Sequence, residues 1–323
     1  MASTVHVIGH RNPDTDSVCS AIAYAELKQR LGHANVRPAR AGELNAETRF
    51  VLQSFDVPVP EQLADATGQE LILVDHNERA QAVPNIEHAT IHEIWEHHRL
   101  GDLRPPTPIV FHCEPVGATA TLIGEQYFLH GLEPSRSMAG MLLAAIWSDT
   151  VNLRSPTTSD KDRHMVARLE PLAGVDAAFG EAMIRLRSES VAARPAADLI
   201  REDHKEFEFA AGRVGVGQIE VLDPGILAPR SHEIREQMRA LRESSGLLQI
   251  ILMVTDITAG ASELWVEGER LDLFERGVGP LRDGALHFPG CMSRKKQVIP
   301  LLERAFSTPD ATANPNAQPA QRH

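Results

Sequence analysis

Short apolar runs alternate with segments of helical periodicity along residues 1–155 of this chain, and this alternation narrows the folds that it can adopt. Strands separated by helices predict a parallel, doubly wound α/β sheet. In such a sheet, ligands bind in the crevice beyond the carboxyl ends of the strands. The predicted strands are 5–9, 35–40, 71–74, 89–95 and 108–112, and the predicted helices are 18–31, 46–55, 120–129, 138–149 and 160–172.

The pattern changes near residue 188. Residues 188–197 are small and polar and include Pro195, which indicates a hinge linker. Residues 307–323 are rich in Pro, Ala, Asn and Gln and predict a disordered tail. We therefore predict an N-terminal domain at 1–187 and a smaller, mixed-sheet α/β domain at 198–306. The predicted strands of the second domain are 206–210, 213–222, 248–256 and 263–268, and its predicted helix is 231–242.

The charge balance disfavours one class of partner. The chain has 32 Lys and Arg against 44 Asp and Glu, a net charge of −12, which argues against nucleic-acid binding through a broad positive surface. No apolar run approaches the roughly 18 to 20 residues of a membrane span. The first residues lack the basic and apolar regions of a signal peptide. We therefore expect a cytoplasmic protein without a membrane or nucleic-acid partner.

The segment after the first predicted strand carries a histidine and two acids. His10 stands at the strand end, and Asp14 and Asp16 follow in a loop at the start of a helix, just after Pro13. Two residues apart, the acids cannot share a helix face, so they point to different neighbours. Metal ligation is one interpretation. An acidic turn that caps the helix is the alternative.

Further polar residues follow later strands and one helix. Asp75 ends the most apolar strand of the first domain, although a loop can also begin with Asp. His97 and His98 are adjacent and project in different directions, so one can reach a metal while the other faces a substrate, unless both are surface residues. Asp149 stands near a helix C-terminus, where its charge opposes the helix dipole. A bound metal would compensate for that charge, and a solvent-exposed Asp tolerated at a small cost is the alternative.

Positive charge is concentrated in the second domain. Arg294, Lys295 and Lys296 precede the last helical period of the chain. Three cations at a helix N-terminus are electrostatically unfavourable by themselves, but an anion docked there would offset them. Lys205 at the start of a predicted strand is a weaker signal, because such lysines are usually solvated.

Taken together, these motifs resemble those of a known family. The first four resemble the N-terminal motifs of the DHH phosphoesterase superfamily, and the later two resemble the DHHA2-type domain of manganese-dependent, family II inorganic pyrophosphatases. Glu96 replaces the first residue of the Asp-His-His motif, which preserves the charge with a longer reach. The motifs are His10-x-Asn12-Pro13-Asp14-x-Asp16-Ser17, Asp75, His97-His98, Ser148-Asp149-Thr150, Asp203-x-Lys205-Glu206-Phe207 with Val214-Gly215-Val216-Gly217-Gln218-Ile219-Glu220, and Ser293-Arg294-Lys295-Lys296-Gln297.

The resemblance implies a binuclear metal site and a phosphate-binding set. It implies two Mn²⁺ ions, or Co²⁺, with a further Mg²⁺ or Mn²⁺ entering with the substrate. The implied ligands of one ion are His10, Asp14 and Asp75, and those of the other are Asp16, Asp75, His97 and Asp149. The implied pyrophosphate contacts are His98, Lys205, Arg294 and Lys295.

The resemblance also implies a reaction. A hydroxide activated by both metals would hydrolyse pyrophosphate to two orthophosphates in a cleft between the domains. A homodimer through the edge of the N-terminal sheet is implied as well. Two alternatives stay open: an exopolyphosphatase-like phosphoesterase acting on short polyphosphate or short nucleotides, and a non-catalytic metal- or phosphate-binding protein.

Overall fold

The chain folds into two compact units that divide between Ser190 and Val191. The structure, a computed structural model, describes residues 3–201, 203–221, 224–257 and 259–306. The predicted tail, 307–323, lies outside the described residues. No helix in these ranges is long and apolar enough to span a lipid bilayer.

The first unit is built on a six-stranded sheet in which every neighbouring pair is parallel. This confirms the parallel sheet predicted from the alternating pattern. The strands are β1 (Val5–Ile8), β2 (Val36–Arg40), β3 (Glu61–Gln62), β4 (Glu70–Val74), β5 (Thr90–Glu96) and β6 (Val110–Cys113). Their order in the sheet is β3-β2-β1-β4-β5-β6, so the chain turns from one side of β1 to the other between β3 and β4.

That strand order positions the candidate site. In a parallel sheet the crevice at the topological switch point lies beyond the carboxyl ends of the two strands that diverge there. Here those strands are β1 and β4, which pair directly from Val5–Glu70 to Ile8–Leu73. The residues that follow Ile8 and Val74 are therefore brought side by side.

Helices α1 (Thr15–Arg30), α3 (Thr119–Leu129) and α4 (Arg136–Thr150) supply much of the apolar layer packed on one face of this sheet. Helix α4 is buried almost all round, and its residues from Met138 to Ser148 are all inaccessible to solvent or nearly so. The opposite face is covered by residues such as Val83 and Ile86. The helices are α1 (Thr15–Arg30), α2 (Ala46–Ser54), α3 (Thr119–Leu129), α4 (Arg136–Thr150), α5 (Asp160–Ala173) and α6 (Ala177–Ala193).

The second unit has a mixed five-stranded sheet, as predicted. Its order is β11-β10-β9-β8-β7, with β8 and β9 parallel and the other pairs antiparallel. An apolar core lies on each face. Its elements are α7 (Ala196–Arg201), β7 (Lys205–Phe209), β8 (Gly212–Val221), α8 (Ser231–Ser245), β9 (Gln249–Asp256), β10 (Ala261–Gly268), α9 (Leu271–Gly277), β11 (Ala285–Pro289) and α10 (Ile299–Phe306).

The predicted linker is more regular than its composition indicates. Residues 188–197 hold the end of α6, the pair Arg194-Pro195 and the start of α7. The alanines that resemble linker residues are good helix formers, and tertiary packing buries Ser188, Val191 and Ala196. The break falls at Arg194, because a residue before proline is biased away from the helical conformation.

Candidate metal centre

The turn between β1 and α1 holds His10 and Asp14 together. Gly9 permits close packing there, since a Cβ at this position would lie 1.7 Å from the Ser17 hydroxyl oxygen. That hydroxyl accepts a hydrogen bond from the His10 amide at 3.0 Å. Asp14 caps α1 by accepting from the Ser17 amide at 2.9 Å. Its other oxygen lies 3.3 Å from His10 Nε2, so one carboxylate caps the helix and also faces His10.

Asp75 follows β4 and stands between two imidazoles. One carboxylate oxygen lies 3.4 Å from His10 Nε2, and the other lies 3.2 Å from His97 Nε2 and accepts from the Thr119 hydroxyl at 3.2 Å. Its backbone has φ of +61°, a left-handed conformation that Asp adopts more readily than most residues. Burial acts to raise the pKa of Asp75, but His10 and His97 outweigh burial and hold it well below its usual range.

Asp16 is fully buried in the first turn of α1. It accepts hydrogen bonds from the Thr119 amide at 2.6 Å, the Ala120 amide at 2.9 Å and the Ser20 hydroxyl at 2.9 Å. The two amides open α3, whose own N-cap residue offers no side-chain acceptor, so Asp16 caps that helix from a distance. Burial, reinforced by the charge of Asp75, raises the pKa of Asp16 to about 8.

Asp149 and His97 lie beside Asp16 and Asp75 and complete a cluster of acids and imidazoles. Asp149, at the end of α4, has a carboxylate oxygen 3.7 Å from His97 Nε2. The opposite ring nitrogen of His97 lies 3.1 Å from the Val116 carbonyl oxygen, which leaves Nε2 turned toward the carboxylates. Burial and the negative charges of Asp14 and Asp16 raise the pKa of Asp149 well above its usual range. The metal-free centre therefore has too little positive charge for its carboxylates.

His98 lies at the edge of this group, with 57% of its side chain exposed. Its Nδ1 and its backbone amide each lie 2.7 Å from one oxygen of Glu96, a residue that is fully buried. The longer acid at position 96 thus folds back onto the residue two positions later. Burial acts to lower the pKa of His98, but Glu96 and Asp75 outweigh burial and raise it.

The donor set fits divalent transition ions. Ligand atoms lie within 4.8 Å of one another in three overlapping groups, and Asp75 belongs to all of them. The buried atoms His97 Nε2 and Asp75 Oδ2 have no hydrogen-bond partner. Imidazole nitrogens beside carboxylates suit manganese or cobalt better than magnesium. The groups are His10, Asp14 and Asp75; Asp16, Asp75, His97 and Asp149; and Asp75, His97 and His98.

The predicted cations lie in the second unit. Lys205 begins β7 and, like Lys295, is exposed. Arg294 is only 5% exposed, and its guanidinium donates to the Asp203 carboxylate at 3.0 Å, to the Asp203 carbonyl, and to the Val216 carbonyl at 3.1 Å. The cations precede α10, because Arg294–Val298 forms a π-helical turn that leads directly into this helix.

Some contributors to the centre carry little or no local sequence signal. Thr119 and Ala120 hold Asp16 across a separation of more than 100 residues. Glu47 in α2 is buried beside Thr15 and Ser148, each of which is adjacent in sequence to a predicted ligand. An acid on the buried face of an amphipathic helix was the one available hint for Glu47.

Comparisons with known proteins agree with this geometry. The DHH family N-terminal domain model matches residues 4–146, and the DHHA2 domain model matches residues 181–305. A manganese-dependent inorganic pyrophosphatase from Methanothrix thermoacetophila is 47% identical over 310 residues, covering 95% of this chain and 99% of the relative. This chain belongs to the manganese-dependent inorganic pyrophosphatase family.

Other members of the family agree in sequence and fold. A manganese-dependent inorganic pyrophosphatase from Methanocaldococcus jannaschii is 38% identical and covers 94% of this chain and 99% of the relative. A Methanococcus jannaschii crystal structure assigned to family II inorganic pyrophosphatases aligns with a TM-score of 0.75 at 37% identity, covering 94% of this chain and 99% of that chain. The family resemblance and the fold class predicted from the sequence are both confirmed.

Proposed function

We propose that this protein hydrolyses inorganic pyrophosphate to two orthophosphates with two Mn²⁺ ions. The observation that carries the proposal is the position of Asp75, whose two carboxylate oxygens face different imidazoles. One carboxylate can thereby join two ligand sets. The proposed ligands are His10, Asp14 and Asp75 for one ion, and Asp16, Asp75, His97 and Asp149 for the other.

When bound, two divalent ions supply Lewis acidity: they lower the pKa of water and neutralise phosphate oxygens. The protein residues around the ions orient the bound groups and balance their charge. The four carboxylates carry −4 against +4 from two divalent ions, so the centre is close to neutral. A pyrophosphate anion therefore needs further cations, and we assign these to Lys205, Arg294 and Lys295, together with Mg²⁺ or Mn²⁺ that enters with the substrate. Co²⁺ suits the same donors.

His98 is assigned to the phosphoryl oxygens. Its Nδ1 is taken by the buried Glu96 carboxylate, which leaves Nε2 as its available donor. The raised pKa of His98 favours the protonated ring, which suits an anionic ligand.

The domain bounds 1–187 and 198–306 are part of the proposal, with residues 188–197 as the hinge linker. The break between α6 and α7 at Arg194-Pro195 supports a hinge there. Asp203 holds the Arg294 guanidinium in a fixed orientation, which lowers the entropic cost of presenting it to a phosphate. We expect Lys295→Ala to reduce pyrophosphate turnover without weakening metal binding.

A homodimer through β6 is part of the proposal. This strand ends the sheet order of the first unit, and Val110 and Phe111 on it are 55% and 42% exposed. Exposed apolar residues on an edge strand favour pairing with a second copy. Sedimentation of Phe111→Asp should show a monomer. The cytoplasmic location stays a prediction.

The deciding experiment is phosphate release by metal-stripped protein that is resupplied with Mn²⁺ or Mg²⁺. The substrates are pyrophosphate, tripolyphosphate and a short oligonucleotide, assayed in parallel. Pyrophosphate should be hydrolysed fastest, and Mn²⁺ should support the reaction better than Mg²⁺. Preferred hydrolysis of tripolyphosphate or the oligonucleotide would favour the alternative phosphoesterase, and tight metal binding without any hydrolysis would favour a binding protein.

A further inference from the structure

Glu47 is a buried acid that belongs to none of the three ligand groups. It lies in the first turn of α2 and is 1% exposed. Its Oε2 accepts hydrogen bonds from the hydroxyls of Thr15 and Ser148, both at 3.1 Å. One carboxylate oxygen therefore joins α1 to the end of α4, across sequence separations of 32 and 101 residues.

The two hydroxyl partners are placed where they can transmit position. Thr15 stands between Asp14 and Asp16, and Ser148 stands directly before Asp149. Because adjacent residues share a rigid peptide unit, a fixed Thr15 and a fixed Ser148 restrict the ligands beside them. The Glu47 carboxylate thereby bridges the segments that carry three of the proposed ligands.

Arg187 of α6 supplies the positive charge for this bridge. Its Nη1 lies 4.0 Å from Glu47 Oε2, and 3.4 and 3.5 Å from the Ser148 carbonyl and hydroxyl oxygens. A cation at the carbonyl end of a helix stabilises the helix dipole. At the end of α4 this partly offsets the unfavourable charge of Asp149.

Burying Glu47 is costly for stability alone. A carboxylate removed from water needs hydrogen bonds on both oxygens, and Glu47 Oε1 is buried without one. The apolar packing of α2 comes from residues such as Val51 and Leu52 instead. The acid therefore contributes position rather than packing.

We propose that Glu47 is a positioning residue of the metal centre. It sets the separation of the Asp14–Asp16 segment from Asp149, and thereby the affinity for the ion whose proposed ligands are Asp16, Asp75, His97 and Asp149. Arg187 holds Glu47 in place. This inference rests on the ligand roles in the proposed function. It adds a residue that touches neither the ions nor the substrate.

The test is Mn²⁺ titration of metal-stripped full-length protein by calorimetry, with Glu47→Asp and Glu47→Gln. Loss of a residue that orients metal ligands typically weakens metal binding about 10- to 100-fold. Glu47→Asp keeps the charge but is one methylene too short to reach both hydroxyls, so we expect it to lose at least as much affinity as Glu47→Gln. Excess Mn²⁺ should restore most of kcat, with KM for pyrophosphate little changed.

The matched control is Glu93→Gln. Glu93 is another largely buried carboxylate of the first unit, with a hydroxyl partner in Tyr24 and a cation partner in Lys28, both at 2.5 Å. It contacts none of the proposed ligands through these bonds. Its variant should bind Mn²⁺ like the wild type, whatever happens to its melting temperature.

The outcomes are separable. Wild-type protein that fails to bind Mn²⁺ would overturn the proposed function, and this inference with it. Wild-type binding that both Glu47 variants match within twofold would overturn the inference alone, as would full affinity in Glu47→Asp, since charge and not position would then matter. If the Glu47 variants do not fold, Ser148→Ala removes one of the two contacts and should weaken Mn²⁺ binding in the same direction.

Discussion

Substitution of Asp75 by Asn tests the core of the metal site with little disturbance of the fold. Asn matches Asp in shape and also tolerates the left-handed conformation, φ +61°, found at this position. The Thr119 hydroxyl can still donate to the amide oxygen. The change therefore removes one charge and one ligand oxygen from the centre and leaves the backbone as it is.

The size of the effect follows from the ligand sets. Asp75 is one of three ligands in the set with His10 and Asp14, and one of four in the set with Asp16, His97 and Asp149. The three-ligand set therefore loses the larger share of its donors. Loss of a residue that only orients a metal ligand typically lowers metal affinity about 10- to 100-fold. Loss of a direct ligand should cost that ion at least about 100-fold, or about 2.7 kcal/mol.

Calorimetric titration with Mn²⁺ and pyrophosphate hydrolysis at micromolar Mn²⁺ are the assays. We expect one tight ion or none in Asp75→Asn, and a turnover loss of at least about 100-fold. Asp56→Asn is the control, because Asp56 is an exposed Asp with the same left-handed backbone, φ 52°. Two Mn²⁺ ions bound by Asp75→Asn with wild-type affinity would refute the bridging role.

Three further outcomes are expected. The melting temperature of the metal-free protein should fall as pH rises from about 5 to about 8. Burial raises the pKa of Asp16 to about 8, so this group stabilises the fold at low pH, and the stabilisation is lost as pH rises through that pKa. A melting temperature that does not change with pH, or one that changes equally with Mn²⁺ bound, would contradict this. Gly140→Ala should lower the melting temperature by several degrees and leave Mn²⁺ affinity unchanged. The added Cβ would lie 2.3 Å from a Phe55 ring carbon, and overpacking lowers the free energy of unfolding by about 1–3 kcal/mol. An unchanged melting temperature would be evidence against tight packing at this position. Glu96→Ala should lower kcat about 10- to 100-fold by releasing His98, whereas Glu96→Asp should retain most activity; equal rates in both variants would argue against the orienting role.

Local patterns predicted the strands and helices that position the candidate metal centre. Strand, turn and helix signals are short-range, so the sequence predicted β1 with α1, the apolar strand before Asp75, and the mixed sheet of the second unit. The same locality explains what the sequence did not predict. The two residues of β3 are too few to show a period, and α6 extends into residues 188–197 because long-range packing buries Ser188 and Val191.

The residue types at the centre, two imidazoles and four carboxylates, were determined by the sequence alone, and so was their order along the chain. Only the tertiary structure decided which of them meet. Because β1 pairs with β4, His10 and Asp75 become neighbours, and because α3 begins beside α1, Asp16 is held by amides that follow it by more than 100 residues. The same packing buries Glu47 between Thr15 and Ser148 and binds Arg294 to Asp203. Burial, pKa and ligand geometry depend on such long-range contacts, which short-range periodicity does not encode.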